Sequence, residues 1–288
     1  MLKTSFAILL TSFIILNGCT SNTRTTPISP TPKIDVEKIE KKVGISYQLL
    51  YPKDSVKNYL KLLNEQDIAL VASVNRADKA FLKNFDSIIV PVDKNQKILQ
   101  YFPFPFYATF LKDVEKIIFF SYPAQSFAAY QNGVLVYTGP TSMGRKADMT
   151  PTGLFFTNWK AEETTSTFND EWELKWNFNI ENKLGVGFHQ YEMPGYPASH
   201  SCLRLTEKDA KYLYEWADQW TIKGTDDIIA HGTPVVVFGS YPFGSSKPWL
   251  ALAKNPNALT ISETDLEKTA SSYLPDIMQK QAERDSLQ

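Results

Sequence analysis

Between residues 117 and 138 three apolar runs follow one another almost without a break: IIFFSY, SFAAY and VLVYT. The last two are joined through Gln131-Asn132-Gly133. Asn-Gly accepts the positive φ angles of a tight type I′ turn, so this stretch reads as a β-hairpin beside a further strand. Downstream, GVGFH, SCLRL and Gly232-Thr233-Pro234-Val235-Val236-Val237-Phe238-Gly239 continue the β pattern. One helix interrupts it, predicted from Thr206 to Trp220: Thr206 and Asp209 form a capping-box pattern, and Ala210, Leu213, Tyr214, Ala217 and Trp220 share a face. Residues 117–239 therefore read as a mainly β domain with one covering helix.

The flanks differ in character. Before residue 93 the pattern is mixed, with helical stretches at Ser55–Leu63 and Asp67–Val74 and then the run Ser87-Ile88-Ile89-Val90 closed by Pro91. This is a small α/β module, and YFPFPF at Tyr101–Phe106 reads as an extended connector out of it. Beyond Ser240 a polar, alternately charged tail carries helical stretches at Pro248–Ala253 and Glu263–Arg284, read as an appendage without chemistry. With 30 Lys and Arg against 31 Asp and Glu, the chain offers no electrostatic case for nucleic acid as a partner.

The first residues read as an address. Met1-Leu2-Lys3 is a short positive start, and FAILLTSFIIL is too short to span a bilayer but fits a signal-peptide core. The run ends at Leu16-Asn17-Gly18-Cys19, which resembles the bacterial lipobox, after which Cys19 becomes an acylated amino terminus. The expected product is an exported lipoprotein, held to a membrane through Cys19 and facing the periplasm or cell wall. Residues 20–33, rich in Thr, Ser and Pro, form a solvated tether of about 45 Å when extended. A plain secretory signal leaving Cys19 free is the alternative.

The chemistry is concentrated between His189 and Arg204. Two of the three histidines, His189 and His200, lie there with Cys202, which has no disulfide partner if Cys19 is acylated. A thiol nucleophile needs a base for its proton and a positive or donor-rich setting that lowers its pKa; His189, His200 and Arg204 can supply these. Pro194-Gly195 and Pro197 form a turn-rich loop able to fold back and bring His189 beside Cys202. The bland reading is a buried, inert Cys and a satisfied His. A zinc site from His189, His200 and Cys202 is possible in ligand type but matches no common zinc spacing.

Ser199-His200-Ser201-Cys202-Leu203-Arg204, with His189 upstream, resembles the signature of the L,D-transpeptidases, the YkuD-type catalytic domain. Met143-Gly144-Arg145, Thr150-Pro151-Thr152-Gly153-Leu154-Phe155 and Gly232-Thr233-Pro234-Val235 resemble that family's flanking motifs in order. The resemblance implies a β-sandwich with one covering helix at 117–239. It implies Cys202 as the nucleophile that attacks the carbonyl after the third residue of a peptidoglycan stem peptide, His189 as its base and the Gln190 carbonyl as the group orienting that base. Backbone N–H groups at Cys202 would hold the oxyanion, with His200 and Ser199 shaping the pocket and Arg204 contacting substrate. It also implies a reaction that needs no metal or cofactor, and acylation by carbapenems. Two departures stand out: Ser201 where Gly is usual, which bears on the oxyanion side, and a His-to-Cys spacing of thirteen residues, shorter than in most members. Gln190 likewise replaces a common Gly.

The implied organisation is a signal peptide at 1–18, a tether at 19–33, an N-terminal module at 34–116, the catalytic domain at 117–239 and the tail at 240–288. Within the module, about residues 43–92 resemble a LysM peptidoglycan-binding module in their second half. The same Cys/His site would serve an L,D-carboxypeptidase if water were the acceptor, and a catalytically inactive wall-binding lipoprotein is a rival of another class. The aromatic, acidic block from Phe155 to Phe178 contains material for a glycosidase, two carboxylates and sugar-stacking Trp rings, but five acids in one insertion read better as a solvated face.

Overall fold

A computed structural model describes residue 42 and residues 44–166, 173–225 and 227–287, so the address, Cys19 and the tether lie outside the described residues. The apolar runs form β3 (Lys116–Ser121), β4 (Ser126–Gln131) and β5 (Val134–Pro140). Asn132 and Gly133 turn the chain between β4 and β5 with φ of +48° and +76°, the paired positive angles that Asn-Gly tolerates. A Cβ on Gly133 would also lie 2.6 Å from the carbonyl oxygen of Ala108, so the turn leaves no room for a side chain there.

These strands join β6 (Gly153–Phe156) and β13 (Pro234–Phe238) in a five-stranded sheet of order β5-β4-β3-β13-β6. The β13–β3 pair is parallel and the others antiparallel. A second, four-stranded sheet has the order β10-β9-β8-β7, from β7 (Lys160–Thr165), β8 (Glu173–Glu181), β9 (Val186–Gln190) and β10 (Leu203–Leu205). One buried cluster belongs to both: Ile118 and Phe120 from β3 meet Phe178 from β8, Phe188 from β9 and Leu203 and Leu205 from β10. The Phe120 and Phe188 rings stack across it with centroids 6.2 Å apart. Helix α4 (Glu207–Trp216) contributes Ala210 and Leu213.

The helix is shorter than its apolar face suggested. Thr206 caps it, its hydroxyl accepting from the Asp209 N–H at 3.2 Å, while the Asp209 carboxylate takes the Tyr137 hydroxyl at 2.8 Å instead of closing a reciprocal box. Ala217 leaves helical geometry at ψ 147°, so Trp220 lies beyond the helix, ahead of a small exposed hairpin of β11 (Thr221–Lys223) and β12 (Asp227–Ala230).

The tail is not an appendage. Its predicted long helix is two, α5 (Glu263–Ala270) and α6 (Leu274–Asp285), because Pro275 in the first turn of α6 lacks an N–H and cannot continue α5. Leu266 and Ala270 of α5 and Ile277 of α6 are buried with Ile117, Phe119, Tyr130 and Val236 on the far face of the five-stranded sheet. Both faces of β3 are thus covered, which explains why its sequence is continuously apolar and not alternating.

In the N-terminal region β1 (Tyr47–Leu50) pairs antiparallel with β2 (Ile88–Pro91), and α1 (Lys53–Leu60), α2 (Glu65–Val74) and the short α3 (Lys79–Leu82) lie between them in sequence. Val56, Val71, Leu82 and Ile88 form its core. A seam joins this region to the tail: Tyr47, Val74 and Ile89 pack with fully buried Trp249, from the 3-10 turn Pro248–Ala253. Arg76 lies in that seam, its guanidinium 4.9 Å from the Phe102 ring centroid and 5.6 Å from that of Trp249. Among the described residues no helix is long and apolar enough to cross a membrane.

Candidate active site

Strands β9 and β10 are parallel neighbours with Arg204 opposite His189 and Leu203 opposite Phe188. Phe188, Leu203 and Leu205 face the shared core. Side chains alternate along a strand, so His189, Cys202 and Arg204 share the other face. The loop of residues 191–201 supplies the crossover that parallel pairing demands. His189, Ser199, His200, Cys202 and Arg204 then line one recess, together with Ser166, Leu174 and Tyr191. The recess holds about 20 Å³ of open space, room for one water molecule.

His189 is almost fully buried, and its Nδ1 lies 2.9 Å from the Gln190 carbonyl oxygen. A carbonyl only accepts, so Nδ1 carries the proton and Nε2 keeps its lone pair. Burial pushes the pKa of His189 down to about 4, against the contribution of the Gln190 carbonyl and with that of the Arg204 charge. The ring is therefore a neutral imidazole at pH 7, the form a general base requires.

The Cys202 thiol departs from expectation. Burial pushes its pKa up, and the Gly187 backbone and the Arg204 charge offset this only in part. Its Sγ lies 3.7 Å from the Gly185 carbonyl oxygen. The donor-rich setting expected to make a standing thiolate is outweighed by desolvation, so the resting pair is thiol and neutral imidazole. From that resting pair a thiolate forms only if the imidazole takes the proton as a bond is made.

The remaining residues hold the frame. Ser199 is buried, its hydroxyl donates to the Cys202 carbonyl, and its backbone bonds Met143 and Arg145, which ties the 143–145 motif to the thiol. Gly144 is boxed in: a Cβ there would lie 2.2 Å from the Asp148 carbonyl oxygen. His200 Nε2 lies 3.9 Å from an Asp148 carboxylate oxygen. Ser201 has φ of +81°, the left-handed conformation that glycine adopts freely, so the backbone keeps a glycine-like path at some strain. Arg204 lies 4.5 Å above the Tyr191 ring and donates through Nη1 to the Glu192 carbonyl at 3.1 Å.

Sequence reasoning missed Ser166, Leu174 and Tyr191. The first two belong to the acidic block, which forms β7, β8 and their flanks, and nothing local marks them as facing a thiol. Tyr191 directly follows Gln190, and its ring stands edge-on to His189 with centroids 6.0 Å apart. Glu162, Glu163 and Glu173 of the block are exposed, while Asp170, Glu171 and Trp172 lie outside the described residues. Among the described residues no three His, Cys, Asp or Glu side chains are grouped to hold a metal.

Residues 115–237 match the YkuD family, the L,D-transpeptidase catalytic domain. The match begins just before β3, ends at Val237 within β13 and includes every residue of the recess. None of the curated proteins matches the chain. Among solved structures, the L,D-transpeptidase of Stackebrandtia nassauensis is 23% identical over 44% of this chain and 57% of that one, with a TM-score of 0.37. An L,D-transpeptidase from Mycobacterium smegmatis is 19% identical over 43% and 59%, with a TM-score of 0.35. One from Mycobacterium tuberculosis H37Rv is 21% identical over 43% and 58%, with a TM-score of 0.35. The chain thus spans less than two thirds of the length of these structures.

Proposed function

We propose that this protein is a peptidoglycan L,D-transpeptidase with Cys202 as its nucleophile. The observation that carries the reading is geometric: His189, its Nδ1 bound to the Gln190 carbonyl, lines one recess with the Cys202 thiol. Nε2 of His189 takes the Cys202 proton as Sγ attacks the carbonyl after the third stem-peptide residue. The tetrahedral intermediate then expels the terminal D-amino acid, which leaves with the proton returned from His189, and a thioester remains. Attack by an acceptor amine on the thioester forms the cross-link and frees the thiol. Backbone N–H groups at Cys202 stabilise the oxyanion; one such donor is typically worth about 3 to 4 kcal/mol. Arg204 offers its guanidinium to a substrate carboxylate.

The export address and the lipid anchor on Cys19 belong to the same reading, since a periplasmic or wall-facing location is where the polymer lies. The helices α1 and α2, with the short α3, between the paired strands β1 and β2 support a wall-binding part for the N-terminal region.

The test is to incubate full-length protein in detergent with purified disaccharide-tetrapeptide and follow products by mass spectrometry, with Cys202→Ala in parallel. Cross-linked dimer in the wild type and none in the variant is expected. Loss of terminal D-Ala without dimer assigns the site to a carboxypeptidase, and no reaction in either protein contradicts the reading.

A further inference from the structure

Four consecutive residues after α2, Asn75-Arg76-Ala77-Asp78, reach in four directions. The Asn75 side chain donates to the carbonyls of Val71 at 2.8 Å and Ile89 at 2.7 Å and accepts from the Ile89 N–H at 3.0 Å, pinning the end of α2 to β2. Arg76 donates through Nε to the Ala124 carbonyl, between β3 and β4, at 2.8 Å. Ala77 makes a β-bridge with Pro194. Asp78 clasps Met193 on both sides: its N–H donates to the Met193 carbonyl at 2.9 Å, and its carboxylate accepts the Met193 N–H at 2.8 Å.

Two residues further along the loop the fit is steric. Gly195 has φ of +80°, and a Cβ on it would lie 2.4 Å from Cζ of Phe85, so this loop backbone rests directly on an aromatic ring of the N-terminal region. Lys247, from the tail, lies 3.6 Å from the centroid of the same ring. Met193 itself is fully buried. The loop that joins His189 to Cys202 is thus held at its middle from outside the catalytic sheets.

The held point is one residue from the site. Met193 follows Glu192, whose carbonyl accepts from Arg204 Nη1, and Glu192 follows Tyr191, whose ring carries the Arg204 guanidinium. Gln190, which orients His189, is secured independently by its place in β9 and by the Tyr191 N–H bond to the Leu205 carbonyl at 3.2 Å.

We propose that Asp78 is a positioning residue of the thiol site: by fixing Met193 it fixes the Glu192 carbonyl, and through it the direction in which Arg204 faces a substrate carboxylate. The N-terminal region is then a part of the active site as well as a neighbour of it. The role of Arg204 rests on the transpeptidase reading, but the clasp does not. Because the base is oriented by β9, loss of Asp78 shows first in substrate capture, and the Arg204 charge, a minor influence on the thiol beside its burial, carries only a small change to its reactivity.

The experiment compares wild type, Asp78→Ala and Asp78→Asn as full-length proteins, since Asn keeps an oxygen that accepts the Met193 N–H. For disaccharide-tetrapeptide, Asp78→Ala raises KM about fivefold to tenfold, the scale of one lost hydrogen bond, with kcat and the rate of Cys202 alkylation by iodoacetamide within twofold of wild type; Asp78→Asn restores KM. A purely structural role lowers the active fraction, so kcat and the melting temperature fall together with KM unmoved, and that result overturns the proposal. A second measurement needs no turnover: amide hydrogen exchange at residues 192–195 speeds up at least tenfold in Asp78→Ala and not in Asp78→Asn, with β9 and β10 unchanged. Equal exchange in all three overturns the clasp. A wild type that clasps but does not turn over contradicts the transpeptidase reading and leaves the clasp standing.

Discussion

Lowering the pH from 7 to 4 should weaken the fold through His189 alone by about 3 kcal/mol. The imidazole has a pKa of about 6.5 in an unfolded chain, and burial holds it at about 4 in the folded one. Between those values the unfolded state binds a proton that the folded state refuses, so the unfolded state gains stability as the pH falls. At pH 4 the folded group is half protonated and the unfolded one fully so, which gives about 3 kcal/mol from the linkage relation. Stability from this group is therefore complete above pH 6.5 and lost on the way down to pH 4. His189→Gln removes the titrating group, and its loss of packing offsets stability equally at every pH. Asp78 and Asp209, whose pKa values burial raises, contribute with the opposite sign and are common to both proteins. The assay is urea unfolding of wild type and His189→Gln at intervals from pH 7 to pH 4, and the quantity is the difference between the two stability slopes. A difference below about 0.5 kcal/mol over the range, well under the linkage value, would mean that His189 titrates normally, refuting the claim that burial holds its pKa down.

Three further outcomes follow from the packing. Leu266→Ala, at a fully buried position on α5, should cost about 3 kcal/mol in urea unfolding, where a detached tail would lose less than about 0.5 kcal/mol. Ser201→Gly should relieve the φ of +81° and stabilise the protein by about 0.5 to 1 kcal/mol, read as a higher melting temperature; unchanged or lower stability would show that the Ser201 side chain earns its place there. Leu174→Ala should open the recess over the thiol, so that a bulky maleimide labels Cys202 several times faster while small iodoacetamide gains less; equal gains for both reagents would argue that access does not limit the thiol.

Much of the β domain was legible because its signals are local. Asn132-Gly133 dictates its own turn, Thr206 its own cap, and the alternation of Phe188 and His189 across β9 follows from a strand having two faces. The misreadings arose where a distant partner decided. Trp220 continues the apolar stripe of α4, but Ala217 is drawn out of the helix and the stripe ends with it. Leu266, Ala270 and Ile277 lie in polar sequence, and only the uncovered face of β3 and β4 gives them a reason to be buried. At the site, Cys202, His189 and Arg204 stand out because few residue types can do their chemistry, and their strand spacing puts them on one face. Leu174 and Asp78 carry no such mark, since each acts through a contact with chain far away in sequence. The direction of the Cys202 pKa was misjudged for the same reason: Arg204 is visible in the sequence, and the burial that outweighs it is not.

The most direct test of the thiol mechanism is the intact mass of the protein mixed with disaccharide-tetrapeptide and quenched rapidly in acid. An added mass equal to the substrate less its terminal D-Ala is expected, mapped to Cys202 by peptide analysis, absent from Cys202→Ala and depleted when an acceptor amine is supplied. Product formation with no adduct on Cys202, or an unchanged rate in Cys202→Ala, would contradict the thiol mechanism.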